Sequence, residues 1–186
     1  MRTRAIALAA AAATALSGCS MLGGDDEDKE SGSPESSGVV NGDANENGAK
    51  EAGLDTSKPP KPIAEATLRR NSDVIESTKI ELLELRRDDN VMLATYRLTG
   101  EGRGTEPQDA GDLLGTHTFE PVFIDMKNME KYRNIDDMTS SLDASAPLGD
   151  PVYLFTAHPL PRKGVTSMDL QVTSVLASIE DVPVPK

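Results

Sequence analysis

The side chains best suited to metal or nucleophilic chemistry are few: one cysteine, Cys19, and two histidines, His117 and His158. A single cysteine excludes an intrachain disulfide and a multi-cysteine zinc site. The histidines lie 41 residues apart, without the HxxxH or HxH spacing that places two imidazoles on one metal ion. We therefore expect core or surface histidines, with a two-histidine zinc site as the alternative.

Pairs of acidic residues suggest either acid–base catalysis or calcium binding. Glycosidases use paired carboxylates on a large cleft lined with aromatic side chains, and this chain has three Phe, three Tyr and no Trp. The best calcium candidates are Asp136, Asp137 and Asp143, but they lack the Asp-x-Asp-x-Asp-Gly spacing of a calcium loop. A solvated acidic loop is the favoured interpretation, so we predict no metal site and no cofactor.

Nucleophilic catalysis by serine or threonine needs an activating base beside the hydroxyl group. The chain has no GxSxG or SxxK motif. Ser140, Ser141 and Ser145 lie in a polar loop, where serine is common. The sequence therefore predicts a protein that is not an enzyme.

Residues 1–18 have the organisation of a signal peptide. Arg2 and Arg4 supply positive charge, residues 5–15 form an apolar run without any charged residue, and small residues follow before Cys19. A membrane span needs about 20 apolar residues, so this run is too short to be one. A buried alanine-rich helix is the alternative, but the polar residues that follow give it nothing to pack against.

The tetrapeptide Leu16-Ser17-Gly18-Cys19 resembles the lipobox of bacterial lipoproteins. The resemblance implies transfer of a diacylglyceryl group to the Cys19 sulfur and cleavage between Gly18 and Cys19. Two fatty acyl chains, such as palmitate, anchor a protein stably, whereas one does so only marginally. We therefore predict a lipoprotein held at the cell membrane, on its extracytoplasmic face, through lipid on Cys19.

Residues 19–61 are predicted to be the lipidated cysteine followed by a disordered acidic tether. They are rich in Gly, Ser, Asp, Glu, Asn and Pro, and apolar residues after Leu22, such as Leu54, are isolated. Such a composition cannot bury enough apolar surface to recover the entropy of ordering. The proline-rich run that ends at Pro62 marks the expected start of the folded domain.

The net charge of the chain is −12, to which residues 1–24 contribute +2, residues 25–61 −6 and residues 62–186 −8. An acidic exported protein is repelled by nucleic acid and by anionic lipid headgroups. We therefore expect no nucleic-acid partner.

Residues 62–186 show the period-two apolar pattern of β-strands, interrupted by Gly, Pro, Asn and Asp. A bulge is predicted where Leu82 and Leu83 interrupt the alternation, and a turn at residues 88–90. A helix over residues 77–87 is the alternative for the first long strand. Further strands are predicted at residues 91–98, 119–126, 131–135, 152–158, 168–172 and 179–184. The pattern favours a single antiparallel β-sandwich.

Several short pieces together resemble the extracellular immunoglobulin-like domain of actinobacterial lipoproteins, which is sometimes found ahead of OmpA-like peptidoglycan-binding domains. These pieces are residues 79–85, 92–99, 122–125 with Tyr132, 147–155, 168–172 and 180–184. The resemblance covers about residues 75–184 and implies an immunoglobulin-like sandwich. Because the chain ends at Lys186, we do not expect the OmpA-like module.

The predicted function is a membrane-anchored, non-catalytic module that meets another envelope protein or a cell-wall component. One alternative is a small-ligand or calcium-binding lipoprotein, which a compact pocket at one end of the sandwich would favour. The other is an enzyme that acts on the cell wall.

Overall fold

The computed structural model of the chain describes residues 48–50 and 53–186. All of them belong to one compact unit of the chain. The predictions about the signal peptide, the Leu16–Cys19 motif and most of the tether lie outside the described residues and stay predictions.

The described residues form ten strands, one short helix and one 3₁₀ turn, besides a helical stretch at residues 48–50. The first five strands are β1 (Ala64–Arg69), β2 (Ile75–Asp88), β3 (Val91–Gly102), β4 (Gln108–Asp109) and β5 (Val122–Asp125). The others are β6 (Glu130–Arg133), β7 (Ser145–Ala146), β8 (Pro151–Pro159), β9 (Ser167–Gln171) and β10 (Ile179–Pro183). Helix α1 (Ala110–Leu114) follows β4, and the 3₁₀ turn (Asp136–Met138) follows β6.

The strands build two four-stranded antiparallel sheets. The first sheet has the order β1-β2-β3-β8 and the second the order β10-β9-β5-β6, while β4 and β7 form a small separate pair. The mostly β, antiparallel sandwich predicted from the period-two pattern is confirmed.

The hydrophobic core lies between the two sheets, because alternate residues of each strand point to the same face. Tyr96 packs edge-on against Phe119, with ring centroids 5.2 Å apart. Leu113 and Leu114 of α1 also join the core. The fully buried side chains contributed by the strands include Ile80, Leu82, Met92, Leu98, Val152, Leu154, Phe123 and Leu170.

The long β2–β3 hairpin carries the predicted bulge and turn. Between Leu82 and Glu84 the register with β3 shifts, which leaves Leu83 as the extra residue. The predicted turn is present at residues 89–90, where Asp89 has φ of 48°. The helical alternative for residues 77–87 is wrong, since this segment pairs with β3 along nearly all its length.

The end of the predicted tether packs on the outer face of the first sheet. Ala49 is buried in a small cluster with Leu83 and Tyr153, and Leu54 packs against the same cluster. A Cβ atom on Gly48 would lie 2.6 Å from the Tyr153 carbonyl oxygen, so the backbone passes directly over β8 here. Contacts with the sandwich thus begin before the boundary predicted at residue 62. Leu54 is isolated along the sequence, and composition alone does not reveal the apolar sheet face against which it packs.

A row of polar side chains crosses the outer face of the first sheet beside this cluster. Glu81, Arg97 and Tyr153 occupy directly paired positions on β2, β3 and β8. The buried Glu81 carboxylate accepts hydrogen bonds from Arg97 Nε at 2.6 Å and Nη2 at 2.9 Å, and Lys79 Nζ lies 2.9 Å away. Arg97 thereby holds the pKa of Glu81 below its ordinary value. A buried carboxylate needs such partners to be tolerated.

No helix in the described part of the chain is both long and apolar enough to pass through a membrane.

We predict that Ala49→Asp lowers the free energy of unfolding by about 1–2 kcal/mol, because a buried charge forces this short segment to detach from the sheet. Urea unfolding at pH 7 measures the change, and faster trypsin cleavage after Lys50 should accompany it. Val175→Asp is the control, since Val175 is 74% exposed. Equal stability of the Ala49 and Val175 variants would contradict the packing of this segment.

We predict that Arg97→Met lowers the unfolding free energy by about 3 kcal/mol at pH 7, because it leaves the buried Glu81 without its bidentate partner. The folded-state pKa of Glu81 is depressed, so the stabilisation is present above its unfolded pKa of 4.5 and is lost as the pH falls through the folded value. The difference in unfolding free energy between wild type and Arg97→Met, measured by urea unfolding, should therefore shrink below pH 4.5.

The matched control is Arg103→Met, which breaks the exposed ion pair with Glu76. Such pairs contribute about 0–1 kcal/mol. A loss at Arg97 no larger than that at Arg103, or one independent of pH, would refute the role assigned to the Glu81–Arg97 pair.

Candidate functional site

His158 is a core residue with both ring nitrogens engaged. Nδ1 lies 3.1 Å from the Tyr132 carbonyl oxygen and Nε2 lies 2.8 Å from Thr156 Oγ1. Burial lowers the pKa of His158 to about 4, so the ring is neutral at pH 7. A carbonyl only accepts, so Nδ1 carries the proton and Nε2 accepts from the threonine hydroxyl. The ring also packs edge-on against Phe123, with centroids 4.8 Å apart.

His117 is exposed and lines a small cleft of about 310 Å³ together with Arg70, Asp109, Asp112 and Asp143. Asp109 caps helix α1, accepting a hydrogen bond from the Asp112 backbone N–H at 2.7 Å. Asp143 accepts a bond from the Ser141 hydroxyl at 2.6 Å. These carboxylates therefore organise the local loops.

The calcium candidates are distributed over two places. Asp136 and Asp137 form the exposed 3₁₀ turn after β6, whereas Asp143 lines the cleft beside His117. Nowhere in residues 48–50 and 53–186 do three or more histidine or carboxylate side chains form a group suited to a metal ion. The sequence spacing brought these acids close along the chain, but the fold does not gather them.

A larger cleft, of about 490 Å³, lies beside the β5–β6 turn, and we call it the turn cleft. One wall is the turn itself, and the other is the loop between β8 and β9. The two lie at the same end of the second sheet, because β9 begins beside the end of β5. Its lining includes Asp125, Met126, Lys127, Lys163, Thr166 and Asp181.

Asp125 holds the turn wall in shape. Its buried carboxylate accepts hydrogen bonds from the backbone N–H groups of Lys127 and Asn128, each at 3.0 Å, and from Asn128 Nδ2 at 2.6 Å. The Asn128 side chain is the main reason why the pKa of Asp125 lies below its ordinary value. With the backbone fixed in this way, Met126 is 61% and Met129 83% exposed.

The loop wall is tied to the same hairpin. Arg162 forms an ion pair with Glu130, and its backbone N–H donates to Tyr132 Oη at 3.3 Å. Tyr132 Oη in turn donates to Glu130 Oε2 at 2.8 Å, and burial raises the pKa of this phenol. Contacts of Arg162 with Glu130 and Tyr132 therefore join the loop wall to strand β6, which follows the turn wall.

The Asp169 carboxylate, which also lines the cleft, is engaged as well. Asp169 Oδ1 accepts a bond from the Asp181 backbone N–H at 3.2 Å, at a position where Asp181 has φ of 56°. The turn cleft thus presents the ammonium groups of Lys127 and Lys163, hydroxyls such as that of Thr166, and the exposed Asp181.

The sequence predicted no functional role for any residue of this cleft. The one available signal was the pair of methionines in the turn sequence Asp125-Met126-Lys127-Asn128-Met129, since apolar residues are unusual in a tight turn. The second wall is some 35 residues further along the chain, so only the folded strands bring it close.

No protein-family model matches the chain, and comparison with curated proteins and with solved structures gives no match either. The resemblance to actinobacterial lipoproteins therefore stays a prediction from the sequence.

We predict that stability falls between about pH 6.5 and pH 4 because of His158. Its folded-state pKa of about 4 lies below its unfolded value of 6.5, so in this window the unfolded chain binds a proton that the folded chain excludes. The unfolding free energy should drop by about 3 kcal/mol across the window. Urea unfolding as a function of pH measures the drop.

His158→Gln should be less stable at pH 7 but should lose most of this pH dependence. His117→Gln is the matched control and should keep it, since His117 is exposed. An unchanged pH dependence in His158→Gln would show that another group carries the effect.

Proposed function

We propose that this chain is an extracytoplasmic lipoprotein, anchored through lipid on Cys19, whose sandwich is a non-catalytic module that binds an envelope protein or wall component. The anchor part is supported by the positive start, the apolar run and the Leu16–Cys19 motif, in the order that export and lipidation require.

The observation that carries the binding role is the chemistry of the turn cleft. Asp125 and Asp169, its best candidates for acid–base work, already accept backbone hydrogen bonds that hold the walls. His158, the histidine with the displaced pKa, is sealed in the core. The groups that remain toward solvent are methionine, lysine and hydroxyl side chains and the exposed Asp181, which make contacts but do not form a catalytic set.

Small-ligand binding is the second candidate, because the cleft volume of about 490 Å³ falls within the range of ligand pockets, roughly 300–1,000 Å³. Such pockets are mainly apolar and enclose their ligand. Here the lining is rich in charged and hydroxyl side chains. This composition favours a protein or polymer that is only partly enclosed.

The proposal predicts that Cys19 carries the diacylglyceryl group and that Met1 to Gly18 are absent from the mature protein. Mass spectrometry of the membrane-extracted protein tests both points. Cys19→Ser should abolish lipidation and release the protein from the membrane fraction, whereas Ser20→Ala should leave both unchanged.

Crosslinking in intact cells then tests the binding role of the same protein. Lipidated wild type should yield a reproducible crosslinked envelope component, and the released Cys19→Ser variant should yield much less of it. An unmodified Cys19 thiol would refute the anchor. A lipidated protein that crosslinks to nothing beyond controls would refute the binding role while leaving the anchor in place.

A further inference from the structure

Met129 is an unusual residue for its position. Its backbone is in the left-handed region, with φ of 57°, where glycine and asparagine cost least and other residues cost about 1 kcal/mol more. Its side chain is 83% exposed, so core packing does not require it. Neither the backbone nor the solvent favours methionine here, which points to a contact with something outside the chain.

Met126 presents a second thioether from the same turn and is 61% exposed in the turn cleft. The Asp125 hydrogen bonds fix the backbone between the two methionines. A fixed backbone lowers the entropy cost of binding, while the flexible, polarisable methionine side chains adapt to a partner's surface. Methionine is also enriched at protein–protein interfaces.

The charge at this end of the sandwich differs from that of the rest of the domain. Residues 122–133 and 159–169, together with Asp181, hold five basic and four acidic residues, although residues 62–186 have a net charge of −8. Arg162 is paired with Glu130. Among the described residues, Lys127 and Lys163 form no ion pair, and both line the turn cleft.

We propose that the tip surface, formed by Met126, Lys127, Met129 and Lys163, binds an acidic protein segment that carries an apolar side chain. This inference rests on the proposed binding role and names the partner's chemistry. The lysines attract the acidic groups and set the orientation, and the methionines contact the apolar side chain. An extended anionic surface, such as a lipid bilayer, would also face the acidic remainder of the domain and be repelled.

The test uses the secreted full chain with Cys19→Ser, labelled with ¹³C at the methionine methyl groups, and synthetic peptides of about ten residues. The first peptide is glutamate-rich with a central Leu-Phe pair, the second has Ser-Ser at the centre, and the third has lysine in place of glutamate. We expect the first peptide to shift the Met126 and Met129 methyl signals in NMR spectra but not that of the buried Met92.

Two double variants assign the contacts. Lys127→Glu with Lys163→Glu should weaken binding of the first peptide by about tenfold or more, since two attractive charges become repulsive. Met126→Ser with Met129→Ser should bring its affinity down to that of the Ser-Ser peptide. The matched control is Lys58→Glu with Val175→Ser, at an exposed lysine and an exposed apolar residue elsewhere, and should bind as wild type.

Three outcomes would overturn the proposal. The first is no methyl shift at millimolar peptide, and the second is equal binding of the lysine peptide or of the Ser-Ser peptide. The third is a shift of the same methyl signals by phosphatidylglycerol vesicles but not by the acidic peptide, which would assign the surface to an anionic membrane instead. Because this protein lacks Cys19, each result is independent of whether the anchor exists.

Discussion

The first sheet carries apolar side chains on both faces, and this constraint decides how the rest of the described chain is arranged. Its inner face, with Tyr96 and Leu154, is covered by the second sheet and by α1. Its outer face carries Leu83 and Tyr153, which Ala49 and Leu54 contact. A sheet that exposed both sets to water would lose much of the hydrophobic free energy that stabilises the fold.

Several polar groups on these buried faces are held by hydrogen-bond partners. On the outer face, Glu81 is tolerated because Arg97 binds it with two hydrogen bonds. In the core, His158 links β8 to the Tyr132 carbonyl of β6 and so joins the edges of the two sheets. The bond from Thr78 Oγ1 to the Leu113 carbonyl, at 2.7 Å, fastens α1 in the same way. His158, which the sequence offered as a possible zinc ligand, thus serves the packing of the two sheets.

Hydrogen bonds to a buried polar group also determine the shape of the turn cleft. The buried Asp125 accepts hydrogen bonds from the turn backbone and fixes its conformation, while the Met126 and Met129 side chains stay exposed. Stable loops that present contact residues are typical of sandwich domains that bind other molecules. The two proposed roles are compatible: the lipid on Cys19 would hold the domain at the membrane surface, and the exposed tip surface would contact the partner.

The sequence by itself determined the features that depend on neighbours along the chain. Period-two alternation predicted the antiparallel sandwich, the break at Leu82 and Leu83 predicted the bulge, and Asp88-Asp89-Asn90 predicted the turn. Helix α1 had local signals too, with Asp109 as its N-cap and Gly115 at its end. It was missed because five residues are too few to show a helical period.

Only the tertiary structure decided the features that join distant segments. Ala49 meets Tyr153 across about a hundred residues of sequence, and the walls of the turn cleft come from separate loops. Whether His158 is a core residue or a ligand in a functional site depends on its contact with the Tyr132 carbonyl, 26 residues away in the sequence. Such contacts leave no local periodicity, because they arise from how two apolar sheet faces pack and not from the order of residues within either strand.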